Sequence, residues 1–289
     1  MLRLAVSLVF LAAGLPPMAA QELPYFITYS HDLEEPGSLE IETKLADGHP
    51  QGGGRFNAAA LELEYGTRAW WTSELYLEGQ STASDSTVFT GLRIENRIRP
   101  LMTEHWINPA LYVELEDINE ANRSLLEVVG HDTWTDLAEP NAIGRAVKDR
   151  EAELKLILSS NTSGWNISEN LIFEKNLRHA PWEFGYALAA SRPLRLDVGS
   201  NERAWAPQNF SVGAELYGGL GDRNSPGLHE TSHYFAPVVS WGLPGGVTLS
   251  ASPGFGLNGN SLATIFRLGT SYELGQVSRL IIPRRQDLR

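Results

Sequence analysis

The sequence predicts an all-β protein: a transmembrane, antiparallel, up-and-down β-barrel of about twelve strands with a partly helical long outer loop. Three observations support this prediction. Segments that alternate apolar and charged residues recur along the chain, the connections between them alternate in length, and the chain begins with an apolar leader. Because successive side chains of a strand face opposite sides, such alternation gives each strand one apolar and one polar face.

The apolar leader has the features of a secretory signal peptide. Arg3 precedes an apolar run from Leu4 to Leu15, and small residues end the segment at Ala20. A positive start, a short apolar core and a small-residue cleavage site are typical of such signals. The run is also shorter than the about 20 residues that a membrane-spanning helix needs. We therefore predict a cleaved signal peptide at 1–20, a periplasmic N-terminal segment at 21–37, the barrel at 38–274 and a periplasmic C-terminal tail at 275–289.

The strand pattern is clearest in five segments in which apolar residues alternate with glutamate. These segments lie at residues 39–44, 61–66, 73–79, 112–117 and 151–156. Other runs rich in β-branched and aromatic residues are separated by glycine, proline and asparagine, which favour turns. Together these patterns predict strands at residues 39–45, 58–65, 70–79, 88–99, 109–116, 151–160, 165–175, 182–191, 210–218, 234–241, 247–256 and 264–274.

The connections between the predicted strands alternate in length. Short turns are predicted at residues 66–68, 161–164 and 243–246. Longer connections are predicted on the other side, at residues 46–57, 80–87, 117–150, 176–181 and 219–233. Barrels of the outer membrane have short periplasmic turns and longer outer loops, so the alternation favours that class.

The longest of these connections has helical spacing in two places. Apolar residues recur at helical intervals over 118–129, and a second helical segment is expected over 142–153. Long connections without structure are uncommon and tend to be functional. The loop therefore either folds over the barrel mouth or into the lumen as a plug, or forms a mobile surface loop.

The polar faces of the strands predict a charged lumen. Strand four carries Arg93, Arg97 and Arg99 on one face, opposite leucine and isoleucine on the other. Arginine pairs well with carboxylates, and glutamates dominate the polar faces of the other strands. The residues that we expect to form a lumen network are Arg93, Arg97, Arg99, Glu62, Glu64, Glu114, Glu116, Glu153 and Arg267.

Overall composition excludes some classes of function. Asp and Glu number 35 against 23 Lys and Arg, which gives a formal net charge of −12. Proteins that bind nucleic acid neutralise phosphates with Lys and Arg, so we predict no nucleic-acid partner. The chain has no cysteine. An exported chain without disulfides must be stabilised by a core or by closure of its sheet.

In the last predicted strand, from Arg267 to Leu274, the polar Arg267 is followed by Gly269, then by the aromatic Tyr272 and the apolar Leu274. This order resembles the terminal-strand signal of bacterial outer-membrane β-barrel proteins, although residues 275–289 follow it here. The mature chain is similar to transporter-like barrels of Gram-negative bacteria, some of them associated with aromatic-compound degradation. The resemblance implies an outer-membrane location, with membrane lipid and, through residues 267–274, the barrel assembly machinery as partners.

Two predicted outer loops carry residue types that bind metal. One loop holds His131 and Asp132, and the other holds His229, Glu230 and His233. Imidazole and carboxylate together suit zinc or copper. The alternative is that both loops are simply polar and solvated, and we predict no other cofactor.

The pattern favours a channel or transporter-like barrel for small solutes. A non-conducting structural or surface-binding barrel and a soluble periplasmic ligand-binding β-protein remain open, because a soluble sheet also alternates. We do not predict an enzyme. A membrane-embedded hydrolase needs a nucleophile beside a base, whereas the adjacent Ser232 and His233 would point to opposite faces of a strand.

Overall fold

The structure is a computed structural model that describes residues 23–124, 127–178, 181–196, 204–275 and 277. The predicted signal peptide, His179 and nearly all of the predicted C-terminal tail lie outside these residues. No helix within the described ranges has the length and apolar character needed to cross a membrane.

Twelve antiparallel strands form one closed barrel, as the sequence predicts. Each strand pairs with its neighbours in the chain, and the first pairs with the last, with Ile41 opposite Tyr272. The strands are β1 (Leu39–Gly48), β2 (Phe56–Arg68), β3 (Trp71–Thr82), β4 (Thr87–Ile98), β5 (Asn108–Asn119), β6 (Lys148–Thr162), β7 (Trp165–Asn176), β8 (Trp182–Pro193), β9 (Phe210–Asp222), β10 (His233–Leu243), β11 (Val247–Gly256) and β12 (Thr264–Leu274).

The two ends of the barrel differ in the connections they carry. We call the end that holds the short turns after β2, β6 and β10 the turn end, and the opposite end the loop end. The connections after β4 and β8 also lie at the turn end and are longer. The N-terminal segment enters the barrel from the turn end, because Gly37 N–H bonds to Gly66 O there.

The side chains of the strands divide between the two faces of the barrel wall. Leucine and isoleucine side chains such as Ile94, Leu115 and Leu154 are exposed on the outside. Their neighbours Glu95, Glu114 and Glu153 are buried inside. Some charged residues depart from this rule: Glu169 of β7 is exposed on the outer face, and Asp117 of β5 pairs there with Lys148 and Arg150 of β6 near the loop end.

The long loop between β5 and β6 is not partly helical as predicted. Its only described helical pieces are a single α-turn, α1 (Asn141–Gly144), and a 3₁₀ turn at Asp136–Ala138. The expected helices at 118–129 and 142–153 are wrong. Residues 118–119 belong to β5 and residues 148–153 belong to β6, and Ile118 pairs with Asp149 in the β5–β6 ladder. Pairing between these two strands outweighs the local helical spacing.

This loop packs onto the loop end of the barrel. Asn141 donates to Ser86 O at 3.0 Å, and Trp134 donates from its ring to Gly259 O at 3.0 Å. Val128 and Val129 are buried in an apolar cluster with residues of β7 and β9. Of the two alternatives considered, a loop folded over the mouth matches these contacts.

A β-bulge shapes the wall between β3 and β4. Consecutive residues Glu78 and Gly79 pair with Gly91 and Phe89, which leaves Thr90 as an extra residue. Gly91 has φ +151°, and a Cβ there would lie 2.3 Å from Asp117 O of β5. Only glycine fits this position, because it has no side chain to meet the neighbouring backbone.

Replacing Gly91 with alanine should therefore destabilise the barrel. We expect Gly91→Ala to lower the free energy of unfolding by at least about 2 kcal/mol, from backbone strain and the clash with β5. Urea titration of the folded band in a heat-modifiable gel assay measures this. Gly259→Ala is the matched control, since a Cβ there meets nothing within 4 Å. Equal midpoints for the two variants would contradict the assignment.

Candidate functional site

The lumen is crossed by ion pairs centred on two arginines of β4. Arg97 Nε lies 2.6 Å from Glu74 Oε1, and its Nη2 lies 2.5 Å from Glu64 Oε1. Glu95 is the third carboxylate near this guanidinium, at 3.5 Å. A planar guanidinium offers several donors in fixed directions and can therefore serve carboxylates from more than one strand.

Arg93 forms a similar group nearer the loop end. Its Nε lies 3.0 Å from Glu78 Oε1, and its Nη1 lies 3.1 Å from Glu114 Oε1 and 3.0 Å from Glu116 Oε1. The arginine and its three carboxylates are buried and come from β3, β4 and β5. The group therefore links three adjacent strands through their inner faces.

Two lysines neutralise further carboxylates. Lys44 Nζ lies 2.7 Å from Glu62, and Lys155 Nζ lies 3.0 Å from Glu153. Lys155 also bonds to Glu127 of the long loop at 2.9 Å. The contact connects the loop to the interior of the barrel.

Two of the predicted lumen residues lie outside the Arg93 and Arg97 groups. Arg99 is at the turn end, where it contacts Glu104 at 2.7 Å instead of joining the central groups. Arg267 points into the barrel from β12 and donates to Tyr217 OH at 2.8 Å. The remaining predicted network residues, Glu62, Glu64, Glu114, Glu116 and Glu153, contact the cations described above.

The predicted metal residues of the loops do not converge within the described ranges. His229 and Glu230 are both exposed and 3.8 Å apart. His233 instead contacts Tyr186 OH at 3.1 Å and Thr231 Oγ1 at 2.9 Å. None of these residues, nor His131 or Asp132, belongs to a group of three metal-binding side chains in that part of the chain.

The N-terminal segment lies inside the barrel, which the sequence analysis did not anticipate. The carboxylate of Glu215, on β9, accepts three successive backbone N–H groups, from Phe26 at 3.1 Å, Ile27 at 2.9 Å and Thr28 at 2.8 Å. Across the lumen, Asn170 of β7 accepts from Tyr29 N–H at 2.7 Å and donates to Tyr29 O at 2.9 Å. These bonds satisfy backbone groups that the extended segment would otherwise bury unpaired.

Tyr29 is the side chain by which the segment meets the ion-pair network. Its ring lies 5.1 Å from the ring of Tyr112 and 4.7 Å from Lys155 Nζ. Its hydroxyl donates to Glu95 at 3.1 Å, and Arg97 lies over the ring at 5.2 Å. Cations over an aromatic face are favourable, and more so when desolvated. The segment thus enters the lumen as far as the level of the Arg97 group.

His31 anchors the segment near the turn end. Its backbone N–H donates to Ser159 Oγ at 2.9 Å, and its Nε2 lies 3.0 Å from Glu104 Oε1. Burial acts to raise the pKa of Glu104, but hydrogen bonds from His31 and Arg99 outweigh it and hold that pKa below its ordinary value.

Serine, histidine and glutamate meet here, which resembles a hydrolase triad in composition. Ser159 is only 3% exposed, and its oxygen already accepts the His31 N–H. A nucleophile must reach its substrate, so this arrangement fits an anchor for the segment and not an attacking group.

One sequence signal could have indicated the position of the segment. Residues 23–30 contain no charged side chain but include two tyrosines and a phenylalanine. An exposed linker is usually charged or rich in small polar residues. A run of this composition is suited to a buried environment.

A cavity of about 760 Å³ lies between the segment and the wall. It opens toward the turn end, and charged groups of β1, β2 and β4 line it together with the segment. Residues on its wall include Glu40, Glu42, Lys44, Glu62, Glu64 and Arg97. The space is large enough for a small molecule, and carboxylates outnumber lysines and arginines on its lining.

Removing the Arg97 charge should leave buried carboxylates without a partner. We expect Arg97→Met to lower the free energy of unfolding by about 3 kcal/mol, since breaking a buried pair on one side costs more than removing both partners. Urea titration measures the loss. Adding Glu64→Gln and Glu74→Gln to the same chain should recover part of it. Additive losses in the triple variant would contradict the pairing.

Weakening the Glu215 anchor should release the N-terminal segment. The amide of Glu215→Gln keeps one acceptor oxygen but places an NH2 group against the backbone N–H groups that the other carboxylate oxygen now accepts, so we expect the segment to leave the lumen more often. Because the chain has no native cysteine, a single Thr28→Cys can report this through its labelling rate with an impermeant thiol reagent. We expect labelling at least tenfold faster than in the Thr28→Cys parent. Glu230→Gln, an exposed glutamate at the loop end, is the control, and equal rates in both variants would contradict the anchor.

Similar solved structures are barrels of the same kind. An outer-membrane channel from Pseudomonas putida F1 superposes with a TM-score of 0.52 at 12% identity, covering 84% of this chain and 98% of that one. A KdgM porin gives 0.46 at 9% identity over 81% and 98%, and LpxR from Salmonella typhimurium gives 0.40 at 10% over 81% and 99%.

Neither a protein-family model nor a curated protein sequence matches the chain. The association with aromatic-compound degradation therefore stays a prediction. The chain has the fold of a twelve-stranded outer-membrane channel barrel.

Proposed function

We propose that the protein is an outer-membrane channel for small solutes whose lumen is closed at rest by its own N-terminal segment. The observation that carries this proposal is the binding of residues 26–29 by Glu215 and Asn170 inside a closed, charged barrel. All of these contacts are hydrogen bonds, so the segment can leave and return without any covalent change.

The outer surface supports a place in a membrane. Exposed leucine, isoleucine and phenylalanine side chains cover the wall, a surface that would make a soluble periplasmic protein aggregate. At the turn end the rings of Trp205, Phe210 and Trp241 stack, with 4.2 Å between the two tryptophan centroids. Such rings are enriched at the level of lipid headgroups. Outer-membrane lipid is thus the proposed partner of this face, with the turn end in the periplasm.

Export and assembly are part of the same proposal. Cleavage of residues 1–20 would free the N-terminal segment to enter the lumen, since a retained leader would tether it elsewhere. Residues 267–274 lie in β12, which closes the barrel against β1. Until β12 pairs with β1, its edge is free to pair with the edge of another sheet. This supports a role of residues 267–274 in recognition by the assembly machinery.

The charge of the lumen favours cationic over anionic solutes. Carboxylates outnumber the lysines and arginines on the inner faces of the described strands. A lumen lined mainly by one sign of charge concentrates the opposite sign. We propose no chemical reaction, because the barrel's only serine–histidine–glutamate group serves as an anchor in the described part of the chain.

A second candidate function is a barrel that conducts nothing and acts as a structural or surface-binding element. The observation in its favour is that ion pairs and the segment together occupy the lumen at the level of Arg97. The two candidates differ in what remains when the segment is removed.

Conductance of single barrels in planar bilayers separates them. We expect the mature chain to show rare, small steps, and a variant in which Gly/Ser residues replace 24–32 to show frequent, larger steps that favour cations several-fold. The replacement keeps the length of the tether. Serine in place of the exposed His49 and Gln51 at the loop end provides the control. A folded 24–32 variant without any steps would overturn the channel and support the structural barrel.

A further inference from the structure

Three side chains at the turn end form a group of metal-ligand type. His31 and Asp32 come from the N-terminal segment, and Glu104 comes from the connection between β4 and β5. His31 Nε2 lies 3.0 Å from Glu104 Oε1 and 3.6 Å from Asp32 Oδ1. One ligand atom from each residue lies within 4.8 Å of both others.

The spacing of these atoms matches a small divalent ion. Zinc binds nitrogen and oxygen at about 2.0–2.2 Å in tetrahedral sites, which places neighbouring ligand atoms about 3.3 Å apart. The two separations from His31 Nε2 lie on either side of that value, so movements of a few tenths of an ångström bring each carboxylate atom to ligand spacing from the histidine. The two carboxylate atoms lie within 4.8 Å of each other.

Neighbouring groups hold each ligand in the required orientation. The other ring nitrogen of His31, Nδ1, faces Ser159 Oγ, which can accept a hydrogen bond from Nδ1–H when Nε2 binds a metal. Ser30 Oγ donates to Asp32 Oδ2 at 3.1 Å and so turns Oδ1 toward the histidine. Asn108 donates to Glu104 Oε2 at 3.1 Å. Such supporting bonds are usual around bound metals and strengthen binding.

The histidine of this group is buried, whereas its two carboxylates are accessible to solvent, as a site that an ion must enter from water requires. The His31 side chain is fully buried, whereas Asp32 and Glu104 are 48% and 55% exposed. An ion can therefore reach the group from solvent and keep water at its fourth position. The other two carboxylate groups already contact an arginine, since Glu64 and Glu74 lie beside Arg97 and Glu116 lies beside Arg93.

We propose that His31, Asp32 and Glu104 bind one divalent ion of the zinc class, which fastens the N-terminal segment to the barrel. Two ligands belong to the segment and one to the connection between β4 and β5. All three ligands can therefore reach the ion only when the segment is inside the barrel. Bound metal consequently stabilises the closed arrangement by mass action. Arg99 contacts Glu104 and partly offsets its charge, so binding is weaker than at a site of three unpaired ligands.

Calorimetric titration of the refolded mature chain with zinc chloride tests the site. We expect one ion per chain, and an affinity reduced at least tenfold in Asp32→Asn and in Glu104→Gln. His229→Asn at the loop end is the control and should bind as the parent does. Heat-modifiable mobility verifies that each variant is folded. No binding, or affinity lost in His229→Asn and kept in the other two, would overturn the proposal.

The fastening itself is tested separately with the Thr28→Cys chain. Saturating zinc should slow labelling of this cysteine several-fold, and Glu104→Gln should abolish the effect. This consequence does not depend on conduction, so it can fail or hold independently of the proposed channel. Zinc binding with an unchanged labelling rate would overturn the fastening role.

Discussion

The neutralisation of carboxylates by arginine and lysine inside the barrel is the interaction on which this structure depends. Glutamates from β2, β3, β4, β5 and β6 face the same interior, and ionised carboxylates at that density would repel one another. Arg97 and Arg93 each contact three of these carboxylates, and Lys44 and Lys155 contact others. Pairing with these cations offsets part of that repulsion and allows the polar faces to turn inward, which leaves the apolar faces to form the outer surface.

The N-terminal segment uses the same interior groups. Tyr29 adds an aromatic face to Arg97 and Lys155 and a hydroxyl to Glu95, while Glu215 binds backbone N–H groups instead of a cation. Each contact exchanges water for a protein partner and holds the segment by a few hydrogen bonds, individually worth about 1 kcal/mol. Hydrogen bonds of this total strength keep the segment in the lumen at rest and still allow it to leave.

Much of the fold could be predicted because alternation is a local property. The bounds of β11 and β12 agree with the predicted ones, and the ends of the other strands differ from the predicted ends by at most four residues. The helical loop was predicted wrongly because Ile118 and Asp149 pair across the β5–β6 ladder. The segment's position was missed for a related reason. Its anchor Glu215 lies 188 residues from Ile27, and no local pattern records such a contact.

Hydrogen exchange of the mature chain in lipid bilayers, read by mass spectrometry over residues 24–31, tests the central claim most directly. If the segment is held in the lumen, the amides of Phe26, Ile27 and Thr28 exchange slowly, as those of the barrel strands do. Exchange of these amides at the rate of an unstructured peptide, in a barrel whose strands remain protected, would contradict the account.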